Sequence, residues 1–304
     1  MLPPNPAPRS EPLMKPRDRV AFSAIIDRPK LTLPDGLRLV VWPIINLEEW
    51  EIERPMARQV LPGPTGVPLL PDVPNWSWHE YGMRVGVWRF FAAFDRIAAR
   101  GTLSINAKVV ESYPRVAEAA KERGWEFMGH SYVQGPIHKL EDQRAVIHQS
   151  LDLLERFTGK RPVGWLGPGL TQTYETPELL AEAGVQYIGD WVYDDEPTEI
   201  ATAKGKLVTL PYTVELNDIP MMIVQHHRAD ELLHRAKDQF DRLRREGAER
   251  AKILSIAIHP YISGVPHRIG YLEAFLDYAR SHDDVAFWTG EEILAWWRRA
   301  RPAH

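Results

Sequence analysis

The chain has no cysteine, which excludes disulfides and thiolate metal sites. No apolar run approaches the roughly 18 residues of a membrane span. Basic charge is not in excess: 37 Lys and Arg against 41 Asp and Glu leave a net charge of -4. Neither nucleic acid nor an anionic membrane is an expected partner. No G-x-G-x-x-G or P-loop follows a strand-like run, which counts against nucleotide binding. H-E-x-x-H, EF-hand and G-x-S-x-G patterns are also missing, so a serine nucleophile has no support. The opening residues Met1-Leu2-Pro3-Pro4 lack the basic start and apolar core of a signal peptide. The cytoplasm is therefore the expected compartment.

What is present fits a soluble α/β protein. Of the 304 residues, 44% are hydrophobic and 26% charged, ordinary values for a globular domain. Residues 1–36 are rich in proline and charge and read as an arm lying on the body or on a neighbouring subunit. From residue 37 to 304, strand-like and helix-like patterns alternate without an obvious break. Leu37 to Ile45 is a nearly continuous apolar run, as in a strand buried on both faces. Further strands are expected at Leu103–Asn106, Trp125–Met128, Val163–Leu166, Gln186–Ile188, Leu207–Leu210, Met221–Val224, Ile253–Ile258 and Val285–Trp288. Helices separate them, one with Ser112 as its expected cap and one opened by the capping-box pair Thr289 and Glu292. Seven or eight such βαβ units favour a single barrel-like domain over an open doubly wound sheet. The segment from Glu53 to Tyr81 is a long proline-rich insert ending in Trp76-Ser77-Trp78-His79-Glu80. It reads as a wall or lid over the strand ends.

A parallel barrel carries its site at the carboxyl ends of the strands. The polar residues there are Asn46, Glu48 and Glu49, then His130, then Asp190, Asp194 and Asp195, then Glu215, Asn217 and Asp218, then His226 and His227, and His259. Asp194 and Asp195 read as a solvated turn. Of His226 and His227 at most one can face a pocket, and a structural role is expected. His130 follows Gly129, which permits close approach. His259 follows a strongly apolar strand. Two neighbouring carboxylates such as Glu48 and Glu49 push their pKa values apart, and one can serve as a base. These residues compose a His/carboxylate site suited to activating water against a carbonyl.

These motifs resemble the polysaccharide deacetylase superfamily, the NodB-type deacetylases, and within it the allantoinase-like branch. Leu47-Glu48-Glu49-Trp50 stands where the family has Asp-Asp, and Gly129-His130-Ser131 at its metal-binding His motif. Arg161-Pro162-Val163-Gly164-Trp165 is similar to a third motif, and Ile258-His259-Pro260 to the last. The allantoinase-like branch is matched by Asn46-Leu47-Glu48-Glu49, Trp78-His79-Glu80-Tyr81-Gly82 and Arg84-Val85-Gly86-Val87-Trp88-Arg89. The resemblance implies a distorted (β/α) barrel of the NodB type, with seven or eight units, and hydrolysis of a non-peptide carbon–nitrogen bond. It also implies a homo-oligomer, dimer or tetramer.

The family holds a divalent metal with one Asp and two His. Here Gln134 and Gly135 occupy the region of the second His, and no metal or other cofactor is expected, with zinc as the alternative. Glu48, Glu49, His130 and His259 are the expected catalytic residues. Asn46, Trp76, Trp78, Glu80, Trp165, Asp190 and Arg268 are the expected contacts to a small-molecule substrate. Oxyanion donors are sought in the Gly167-Pro168-Gly169 backbone, the Trp165 indole and Arg268. The leading reading is opening of a cyclic amide, ureide or imide ring by side-chain-activated water. A metal-dependent N-deacetylase of an acetamido sugar or small amide, and an inactive barrel that binds a small ligand, are the alternatives.

Overall fold

The structure, a computed structural model, describes residues 13–56 and 58–301. The first twelve residues of the proline-rich arm lie outside these. Among the described residues nine strands form one curled sheet: β1 (Leu39–Leu47), β2 (Thr102–Ile105), β3 (Glu126–Gly129), β4 (Gly164–Trp165), β5 (Tyr187–Ile188), β6 (Thr198–Thr202), β7 (Gly205–Thr209), β8 (Lys252–Ile258) and β9 (Val285–Phe287). Their order is β6-β7-β5-β4-β3-β2-β1-β8, with β9 also paired to β1. All pairings are parallel except β6 with β7. The distorted barrel is thus confirmed, with its ring left open between β8 and the β6–β7 hairpin. A single bridge from Asn217 to Ala257 spans part of that gap.

β1 is the organising strand. Every residue of it is buried, and it pairs with β8 along one edge and with β9 and then β2 along the other. That requires a strand apolar on both faces, which Leu39 to Ile45 supplies. Helices pack outside. Val87–Arg96 buries Val87, Phe90, Phe91, Ala93 and Phe94. Gln143–Thr158 starts at Asp142, whose side chain accepts from Ala145 N, and ends at Gly159 with φ +81°. Thr289 and Glu292 form their capping box.

Three expectations are corrected. Met221–Val224 is not a strand but part of a wide helical turn, Ile219–Val224; the Pro220 that precedes it cannot donate to a ladder. Ser112 caps nothing: it ends a short helix, Val109–Ser112, and the next helix, Pro114–Glu122, begins after Tyr113. The Trp-rich end of the insert is a helix, Val73–Tyr81, capped by Asp72. The antiparallel strand β6 carried no clear sequence signal, since its burial is irregular.

The described part of the arm lies on the body. Buried Arg19 donates to Glu178 at 2.6 Å and to the carbonyls of Ala201 and Tyr174, each at 2.8 Å. Arg250 reaches the carbonyl of Arg28 at 2.9 Å and Glu196 at 2.6 Å.

On the sheet's inner face, Tyr187 packs against two glycines. A Cβ on Gly164 would lie 2.1 Å from the Tyr187 ring, and one on Gly290 2.3 Å from its hydroxyl. Both positions therefore need glycine for close approach rather than for backbone freedom. Gly164→Ala should lower the unfolding free energy by about 1–3 kcal/mol, the usual cost of overpacking. Urea denaturation measures this, and an unchanged midpoint would refute the packing.

Candidate active site

The carboxyl ends of β1, β3 and β8 converge, and two buried asparagines fix them to one another. Asn46 Nδ2 donates to the carbonyl of Ile258 at 3.3 Å, joining β1 to β8. Asn106, just past β2, accepts from Glu49 N at 2.9 Å and donates to the carbonyl of His130. The loops after β1 and β3 are thereby clamped in one register. Ser131, directly after His130, takes φ +65°, the left-handed region that non-glycine residues enter mainly at constrained sites.

Glu48, one residue beyond β1, is the centre of the cluster. Its Oε1 accepts from Gln134 Nε2 at 2.9 Å and lies 3.5 Å from His259 Nε2. Its Oε2 accepts from Trp50 Nε1 and from the Tyr261 hydroxyl, each at 3.1 Å. Burial alone would push its pKa up. The His259 charge and hydrogen bond outweigh burial and hold it at about 2.

Behind His259 stands Asp218. Its Oδ1 lies 2.6 Å from His259 Nδ1, and its Oδ2 accepts from His259 N at 2.8 Å and from Ser263 Oγ at 2.7 Å. Burial works against the charged imidazole, but Asp218 and Glu48 flank it and raise its pKa to about 9. His259 is therefore a buried imidazolium between two carboxylates.

His130 has the opposite state. Burial lowers its pKa to about 4. Its Nδ1 lies 2.5 Å from the carbonyl of Leu166. A carbonyl only accepts, so Nδ1 carries the proton and Nε2 keeps its lone pair. His79 is similar: burial lowers it to about 4, and its Nδ1 donates to the carbonyl of Asn75 at 2.6 Å. Its ring sits among Trp50, Trp78 and Tyr261, with centroids 4.7, 5.2 and 4.2 Å away.

These groups open onto a pocket of about 150 Å³ lined by Asn46, Glu48, Arg58, His130, Gln134 and His259 on its polar side. Leu166, Leu170, Tyr212, Val214, Ile219 and Pro220 form its apolar side. It is small beside the roughly 300–1,000 Å³ of drug-sized sites.

Four expected residues are brought together: Asn46, Glu48, His130 and His259. The others are not. Glu49 turns toward Lys108, 3.9 Å away, because successive residues after a strand point to opposite sides. Trp76 and Trp78 lie on the Val73–Tyr81 helix, and Trp78 packs on Tyr261 at 4.9 Å; neither lines the pocket. Glu80 accepts from the Tyr113 hydroxyl. The Trp165 indole is wholly buried in the core against Gly129. Asp190 accepts from Gly167 N and Gln172 Nε2, each at 2.6 Å. It props the Gly167 loop and occupies the backbone N–H expected as an oxyanion donor. Arg268 donates to the carbonyl of Ile262 at 3.4 Å and lies outside the lining. Sequence reasoning missed Arg58 and His79, and placed Asp218 only among the strand-end acids. His79 stood in a quoted motif; Arg58, inside the irregular insert, carried no signal.

The donor set does not fit the metal of the wider family. Zinc takes three protein ligands around an open position. Both Glu48 oxygens already accept hydrogen bonds, His259 Nε2 faces Glu48 Oε1 at 3.5 Å, and position 134 offers an amide in place of an imidazole. Among the described residues, no group of three or more His, Asp or Glu is placed to hold an ion.

A family model described as polysaccharide deacetylase matches residues 79–188. The structure of a probable polysaccharide deacetylase from Pseudomonas aeruginosa PAO1 is 30% identical, with a TM-score of 0.82, covering 91% of this chain and 97% of that one. The chain belongs to the polysaccharide deacetylase superfamily. Its family chemistry is hydrolysis of carbon–nitrogen amide bonds. The Puue allantoinase structure is 27% identical with a TM-score of 0.84, covering 96% of this chain and all of that one. A Helicobacter pylori peptidoglycan deacetylase is 25% identical over 246 residues, 69% of this chain and 82% of the relative. Among the described residues, no helix is long and apolar enough to cross a membrane.

His259 is held above its unfolded value of 6.5, so its pairing contributes stability fully below pH 6.5, and the contribution is lost as pH rises through about 9. Asp218→Asn removes one flanking charge. The His259 resonance in an NMR titration should then shift down by more than about one unit, and the stability loss between pH 6.5 and 9 should shrink. A titration left near 9 would contradict the ion chain.

Proposed function

We propose that the protein opens a cyclic amide, ureide or imide ring by hydrolysis, with water activated by side chains and without a metal. The observation that carries this reading is the pair of buried histidines in opposite protonation states on one small pocket. Neutral His130 and charged His259 have pKa values pushed apart to about 4 and about 9. Such a split assigns a base and an acid.

His130 Nε2 takes a proton from water as the water oxygen bonds to the ring carbonyl carbon. The imidazolium that forms is favoured by the nearby Glu48 charge and by Gln134, whose Oε1 is buried and otherwise without a partner. His259 Nε2–H supports the developing oxyanion, then gives its proton to the leaving nitrogen as the carbon–nitrogen bond breaks. The product is a carboxylic acid, which ionises, and a free N–H. Glu48, with its carboxylate fully engaged, directs His259 rather than acting as the base. Glu49 has no part.

The likeness to the Puue allantoinase over 96% of the chain supports a ring substrate, and the small volume of the pocket, about 150 Å³, suits a small molecule. The names of other relatives favour a second reading, N-deacetylation of an acetamido group by the same atoms. We further propose a cytoplasmic homo-oligomer; Phe22 and Ile26 on the arm, 94% and 85% exposed, suit a contact between copies.

A screen of cyclic ureides, imides and acetamido sugars tests the reading. His130→Ala and His259→Ala should each cost about 10²–10⁴-fold in kcat, and prolonged chelation should cost nothing. Loss on chelation with stoichiometric recovery by a metal would sink the metal-free mechanism.

The pH profile is a separate check. The base must be free and the acid charged, so kcat/KM should rise through about 4, hold level, and fall through about 9. A profile rising steadily above pH 9 would exclude His259 as the acid.

A further inference from the structure

Arg58 is the unassigned charge in the pocket. It lies in the irregular insert that precedes the Val73–Tyr81 helix, and it lines the same cavity as Glu48, His130 and His259. Every other charge in or behind that cavity is committed. Glu48 and His259 face each other, and Asp218 backs His259. Arg58 has no hydrogen bond or ion pair to any side chain among the described residues, and it is half-buried rather than extended into water. A half-buried guanidinium left without an acceptor loses hydration with no compensation. Its five N–H donors form a planar fork that can place two N–H groups on the lone pairs of one carbonyl oxygen. The wall around it is mostly apolar: Leu166, Leu170, Val214, Ile219 and Pro220. Asn46, whose Nδ2 is tied to Ile258, adds an uncommitted amide oxygen for a substrate N–H.

We infer that Arg58 is the specificity-determining residue of the pocket and takes the negatively polarised, oxo-bearing edge of the substrate through its fork. The class selected is a planar ring that carries a second carbonyl beside the scissile one, as a cyclic ureide or imide does; two N–H groups of the fork meet the two lone pairs of that second oxygen, away from the bond that breaks. A simple lactam offers one carbonyl, and an acetamido sugar offers a single carbonyl on a puckered ring. This inference rests on the ring-opening reading and names the substrate edge within it.

Steady-state kinetics on full-length protein test it with hydantoin, succinimide, 2-pyrrolidinone and N-acetylglucosamine as probes. Arg58→Ala should raise KM for hydantoin and succinimide by about 10- to 100-fold, the usual weight of a charge-assisted bidentate contact. The corresponding kcat should change by less than about threefold, because Arg58 does not touch the scissile bond. Arg58→Lys should recover little, since charge without the fork is insufficient, and added guanidinium ion should partly rescue Arg58→Ala. Thermal melts of each variant keep folding separate from binding.

Turnover of hydantoin or succinimide by the wild type with an unchanged KM in Arg58→Ala would overturn the role of Arg58 and leave the ring-opening reading standing. Full recovery by lysine would overturn the fork. Release of acetate from N-acetylglucosamine with no turnover of either ring would overturn both readings together.

Discussion

The chain of charges Glu48, His259, Asp218 is the interaction on which the site depends. Three ionisable groups are buried here, with side chains 5%, 6% and 0% exposed. Burial alone would push the Glu48 carboxyl up and the His259 imidazole down. Together they retain charge because the imidazolium lies between two carboxylates and every remaining oxygen meets a donor. Breaking such a chain by removing one member leaves an uncompensated buried charge, which typically costs about 3–5 kcal/mol. The surrounding structure is arranged accordingly. Trp50 and Tyr261 close Glu48, Ser263 and a backbone N–H close Asp218, and Asn46 ties the two strand ends that carry the pair.

Much of this was legible in the residues themselves. β1 and β8 stood out because strands buried on both faces must be apolar throughout. His130 and His259 stood out because the polar residues at the carboxyl ends of parallel strands face the site of such a barrel. Choosing between Glu48 and Glu49 was beyond pattern reading, since alternation says that one points inward without saying which. The Asn106 clamp fixes the loop by holding Glu49 N, with Glu48 lining the pocket and the Glu49 side chain lying away from it, near Lys108. The tryptophans misled for a physical reason. A large apolar ring near a strand end is as well used under the pocket as in its wall, and Trp165 fills the space left by Gly129. Asp190 looked like a contact because it follows a strand, yet its two oxygens are spent on holding a loop.

The proposed mechanism places a particular demand on position 134. A metal-holding site needs lone pairs converging on an empty point. Here the lone pairs at Glu48 converge on N–H groups instead: Gln134 supplies one, Trp50 another, Tyr261 an O–H, and His259 a charged N–H. An amide at 134 can donate to the carboxylate through Nε2 and still offer Oε1 as an acceptor near His130. An imidazole could not do both while coordinating an ion. With Glu48 at about 2 it remains charged throughout the range in which His130 accepts a proton. In the proposed mechanism its field acts on His130 as a metal would act on a bound water, but with opposite sign. It stabilises the proton after transfer instead of acidifying the water beforehand. On this argument the weak intrinsic basicity of a buried His130 is the cost of keeping it neutral at rest, and Glu48 with Gln134 offsets that cost only once the proton has moved.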